Sequence, residues 1–157
     1  PASDKQRGEN NTILNRILLS LACGCLALAT VEAWAAKAPL SLKELKKKAS
    51  HVVSGKVIEV ASENQKSRVE TGVGIHRDRV YTIVLVVKNI SKGSGVKADE
   101  RIIIEAWQPA LRIPPLPGLQ GHETIPKKGD KVTVYLEGRR GKAYLPILPN
   151  GIVSEKK

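Results

Sequence analysis

The stretch from Arg79 to Ile90 (RVYTIVLVVKNI) constrains the fold most, because it is too long and too apolar on both faces for a half-exposed edge strand. It belongs at the centre of a strongly coiled sheet. Its neighbours fit the same plan. Val52 to Ala61 is rich in β-branched residues and reads as a first strand, with Gly55 marking a bulge or tight bend. Arg101 to Trp107 (RIIIEAW) supplies a third strand. In Lys131 to Glu137, Val132, Val134 and Leu136 alternate with Lys131, Thr133, Tyr135 and Glu137, the pattern of a half-buried strand. Ala143 to Leu148 forms the last, and Pro146 within it predicts a position at a sheet edge.

The connections carry their own signals. Ser41-Leu42-Lys43-Glu44 has the form of a capping box, so a short helix is expected to about Lys48, with Leu42 and Leu45 on one face. Lys46, Lys47 and Lys48 then fall in the last turn, where the helix dipole favours cations; a basic docking patch is the alternative reading. Ser62 to His76 is polar and glycine-containing, hence a long connection or a frayed hairpin. Gly138 to Gly141 (GRRG) is expected to be a tight hairpin loop. Gln108 to Gly129 holds five prolines, which disfavour helix, yet Leu111, Ile113, Leu116 and Leu119 are too apolar for a solvated linker. An ordered cover lying against the sheet is the expectation, and so long a connection is often functional.

One helix and about five twisted strands, several apolar on both faces, predict a mainly β chain: a small five-stranded OB-like antiparallel barrel with one short N-terminal helix. Ala49-Ser50-His51-Val52-Val53-Ser54-Gly55-Lys56-Val57, Tyr81-Thr82-Ile83-Val84-Leu85, Ser91-Lys92-Gly93 and the run Pro126 to Leu136 (PKKGDKVTVYL) occur in an order that resembles exported bacterial proteins with a netrin-like or tissue-inhibitor-of-metalloproteinase-like OB barrel. The resemblance implies the fold. It does not imply inhibition, because such inhibitors use a free N-terminal cysteine and disulfides, and the chain after Ala35 contains no cysteine.

The apolar run from Ile17 to Val31 follows Arg16 and precedes Ala33-Trp34-Ala35, the small-x-small pattern signal peptidase accepts. Residues 1–35 are therefore expected to be a signal peptide with its upstream segment, and 36–157 a single domain. The run falls short of the roughly 20 residues that cross a bilayer core. A lipoprotein reading would acylate Cys23 or Cys25, but Ser20 and Ala22 stand where a large aliphatic residue is usual. The expected location is the periplasm, the envelope or the medium. The formal charge is +11, and because Lys5, Arg7 and Arg16 balance Asp4, Glu9 and Glu32, the whole excess lies in 36–157. That excess favours an anionic glycan, a lipid surface or an envelope protein as partner; solubility is the plainer reading.

No pattern of a nucleophile with its base, such as G-x-S-x-G, is present, so His122 in Gly121-His122-Glu123-Thr124 lacks the partners of a hydrolase base. His51, His76 and His122 could hold a metal if the fold gathered them, although no short H-x-H pair places two ligands locally. Nucleic acid is disfavoured, since OB barrels that bind it add stacking platforms to a basic groove and only Tyr81, Trp107, Tyr135 and Tyr144 are aromatic here after Trp34. Tyr135, on the polar phase of its strand, is the candidate exposed platform, and Trp107 lies beside the proline-rich cover. The expectation is a non-catalytic exported binding module without a cofactor. Its candidate contacts are Arg139, Arg140, Tyr135, Trp107, Lys127 and Lys128. The alternative is a metal-binding protein or metal-dependent enzyme built on the three histidines.

Overall fold

The computed structural model describes residues 38–116 and 120–155; the segment read as a signal peptide, including Cys23 and Cys25, lies outside them. The elements in chain order are α1 (Leu42–Lys48), β1 (His51–Lys66), β2 (Ile75–Lys92), β3 (Arg101–Ile113), β4 (Lys131–Arg140), β5 (Ala143–Pro146) and β6 (Ile152–Ser154). The chain is mainly β with one short helix among the described residues. No described helix is long and apolar enough to cross a membrane.

The strands pair in the order β1-β2-β3-β5-β4, and β4 pairs back onto β1, so five strands form a ring; β6 lies against the first half of β4. All pairings are antiparallel except β3 with β5, which are parallel through Ile103–Ala143 and Ile104–Tyr144. β5 is thus paired on both sides and closes the ring rather than lying at an edge. Pro146 is tolerated because it is the last residue of the strand.

Why so many strands are apolar on both faces is now visible. Val53, Val57, Ile83, Leu85, Ile104, Val134 and Leu136 fill the interior of the ring. Val52 and Tyr135, on the opposite phase of β1 and β4, form a second cluster with Leu45 and Ala49 of the helical segment and Ile147. The helix covers this outer face through Leu45, while Leu42 stays 60% exposed, so the expected two-leucine face is reduced to one residue. On β2 the outer residues Val84 and Val86 remain half-buried, because the helix packs over β1 and β4 instead.

The capping box is formed: Ser41 Oγ accepts from the Glu44 amide at 3.3 Å, and Glu44 Oε2 accepts from the Ser41 amide at 2.8 Å. At the other end Lys92 Nζ donates to the carbonyls of Lys46 and Lys47 at 2.9 and 3.2 Å, a cation on the negative end of the helix. Gly55 is the expected irregularity. The register shifts between Ser54 and Gly55, and a Cβ there would lie 2.1 Å from the Val86 carbonyl oxygen, so only glycine admits this approach.

Three strands run further than the hydrophobic pattern predicts. β1 reaches Lys66, β2 starts at Ile75 and β3 continues through Pro109 to Ile113. Beyond the ring they form a three-stranded ribbon, pairing Lys66 with Arg77 and Ile75 with Ile113. Pro109 fits because β2 shifts register opposite it, between Arg77 and Asp78. The proline-rich segment therefore begins as strand, and only its later part lies as a cover, with His122 and Pro126 buried and Ile125 against the ring's core.

Candidate functional site

The root of the ribbon and the end of the β4–β5 hairpin enclose a groove with a cavity of about 180 Å³. Alternation builds it. Asp78 and Val80 leave β2 on one face, and Glu105 and Trp107 leave β3 on the same side, with Val80 opposite Trp107 in the ladder. Leu145, Pro146 and Leu148 form the far wall, and Arg68 and Val69 lean in from the turn after β1.

His122 holds the groove's floor. It is 4% exposed, its amide donates to the Trp107 carbonyl at 2.8 Å, and its Nδ1 accepts from the Trp107 amide at 3.1 Å. The Nε2–H then donates to the Pro146 carbonyl at 3.3 Å, which assigns the neutral tautomer. One residue thereby occupies both backbone groups of Trp107 on the β3 edge and ties them to β5. Burial pushes the His122 imidazole below the ordinary histidine value, against a weaker upward pull from the Trp107 carbonyl 3.2 Å from Nδ1, the Pro146 carbonyl and the Glu137 charge. Gly121, at φ +78°, makes the approach possible: a Cβ there would stand 2.6 Å from the Trp107 oxygen.

The groove's charges are unevenly paired. Asp78 is held by Arg112, both almost fully buried, and by Ser67 Oγ at 2.7 Å. Glu137, which also lines the groove, faces Lys48 at 3.7 Å, and Lys48 stands outside the lining. Glu105 alone is left to Arg140, which donates to it directly, and to Arg68 at 3.8 Å, while Lys66 adds a further cation. Two guanidinium groups thus converge on one carboxylate beside an indole.

The residues expected from sequence are distributed differently. Arg140 and Trp107 line the groove together. Gly138 to Arg140 is strand, with the turn reduced to Gly141 and Lys142, so the two arginines point to opposite faces. Arg139 lies 4.1 Å from the Tyr144 ring centroid as a cation over its face. Tyr135 is no platform: it is 6% exposed beneath the helix, because the outward phase of β4 is covered by Leu45 and Ala49. Lys127 and Lys128 are exposed in the turn that closes onto Val57, and neither lines the groove.

The three histidines do not come together as ligands. His51 Nε2 bonds the Ser94 carbonyl at 2.9 Å and its ring meets Tyr144 edge-on, His76 is buried in the ribbon, and both nitrogens of His122 are engaged by backbone. Among the described residues no group of three or more His, Cys, Asp or Glu is placed to hold a metal. Sequence reasoning missed Glu105 and Arg68. Glu105 was accessible through period-two alternation, two residues before Trp107; Arg68 sits in a polar connection with nothing to mark it. No family model matches this chain, no curated protein is significantly similar to it, and no solved structure matches its fold.

Proposed function

We propose that this protein is an exported, non-catalytic binding module built on an OB-like barrel, and that it takes an acidic group of its partner, a glycan or protein carboxylate, into the groove beside Trp107. The convergence of Arg68 and Arg140 on the single Glu105 carboxylate carries the reading. A second carboxylate entering there finds unspent guanidinium donors in a fork geometry suited to bidentate contact, with an indole against which an apolar ring can lie. The ring order β1-β2-β3-β5-β4 supports the barrel assignment, since the OB fold is a five-stranded, partly open Greek-key barrel. The positive balance of 36–157 supports an anionic partner.

The test is elution from immobilised polygalacturonate by a salt gradient. R68Q/R140Q is expected to elute at clearly lower salt than the unaltered protein. R139Q/K142Q removes the same charge from the β4–β5 hairpin at positions outside the groove lining and is expected to elute close to the unaltered protein. Equal shifts for the two variants would reduce the binding to net charge and refute the site.

A further inference from the structure

We infer that the far end of the ribbon docks on an anionic lipid surface, an inference that rests on residues outside the groove and goes beyond the reading above. The ribbon has two faces of opposite character. His76 and Asp78 point to the buried side, where Asp78 meets Arg112. Ile75, Arg77 and Arg79 take the other phase and are exposed. Ile75 pairs with Ile113 and Arg77 with Leu111, so the exposed face reads as an aliphatic end followed by cations.

The exposures are large for such side chains: Val73 98%, Ile75 53%, Ile113 49% and Leu111 43%. Val73 leads from the connection between β1 and β2. A group of this kind at the end of a rigid element marks a contact surface. The charge says of what kind. Arg77 and Arg79 have no ion-pair partner among the described residues, and Arg79 bonds only the neutral Asn64 at 3.2 Å. Aliphatic residues backed by free arginines match the layering of a membrane interface, where apolar groups enter the acyl boundary and guanidinium groups stay at headgroup depth.

The buried network behind this face gives it rigidity. Arg112 donates to Gln120 Oε1 at 2.9 Å and to the Arg77 carbonyl at 2.6 Å, and Gln120 donates to Glu70 Oε1 at 3.2 Å. The connection carrying Val73 is therefore anchored to β3 through Glu70, three residues before it, and presents its apolar residues without collapsing onto the ring.

The experiment places an environment-sensitive fluorophore at position 73 of the full chain, using V73C in a C23S/C25S background so that only the tip is labelled. Vesicles containing phosphatidylglycerol are expected to shift its emission to the blue, and phosphatidylcholine vesicles to leave it unchanged. Adding R77Q/R79Q should raise the lipid needed for half the shift about thirty-fold, which corresponds to about 1 kcal/mol for each of the two basic residues at an anionic surface. A probe that stays in water on anionic vesicles overturns the assignment, as does a shift of equal size on both lipids. A shift that follows protein concentration without vesicles also overturns it, in favour of self-association. The apolar segment Ile17 to Val31 is common to every variant and cannot produce the arginine dependence.

Discussion

Replacing His122 by leucine isolates the role of the groove's floor. Leucine keeps the apolar volume and removes both ring nitrogens, leaving the Trp107 amide and the Pro146 carbonyl without the partners they have at 3.1 and 3.3 Å. Each buried polar group left unpaired costs about 1–3 kcal/mol, so two cost about 2–6 kcal/mol, and the longer bond places the expectation near 3 kcal/mol. A domain of roughly 120 residues has an unfolding entropy near 0.25 kcal/mol per kelvin, so Tm should fall by about 12 °C. The pH dependence gives an independent readout. Because burial depresses the His122 value in the folded state, the unfolded chain binds the extra proton first as pH falls below the ordinary histidine range. His122 therefore supports stability fully above about pH 7, and the support is lost as pH falls through about 6.5 toward the lower folded value. Calorimetry at pH 7.5 and pH 5.5 should show a larger Tm decrease on acidification for the unaltered protein than for H122L. A variant that melts within 2 °C of the unaltered protein, and with the same acid sensitivity, would refute the assignment of His122 as a neutral structural post.

Two further substitutions probe packing. Y135A should destabilise by about 3–5 kcal/mol in urea unfolding, the cost of emptying a buried aromatic site; a cost within about 0.5 kcal/mol would return Tyr135 to the surface. D78A strands the buried Arg112 guanidinium and should cost about 3–5 kcal/mol, with amide exchange accelerating in the ribbon first. Uniform exchange across ring and ribbon in D78A would contradict the local role of that ion pair.

Local chemistry explains what was legible beforehand. The capping box at Ser41 and Glu44 is a contact between residues three apart, and the Gly55 irregularity is a property of one residue in a β-branched run. Neither depends on the rest of the chain. β6 was not legible because three residues, Ile152 to Ser154, carry too little pattern to distinguish strand from coil. The extension of β3 through Pro109 was hidden for a different reason: a proline argues against a strand unless the partner shifts register opposite it, and that partner is Asp78, 31 positions earlier.

By itself, then, the order of residues determined the class of structure, the helix start, the central place of Arg79 to Ile90 and the basic balance, all of which follow from backbone preference and side-chain period. Only the tertiary structure decided which apolar face is covered. Tyr135 and Val84 occupy similar outward phases, yet Leu45 packs over the first and leaves the second half-buried. It also decided which of two adjacent arginines faces the groove, because a strand alternates its side chains and the ring's closure through β5 sets which side carries Glu105.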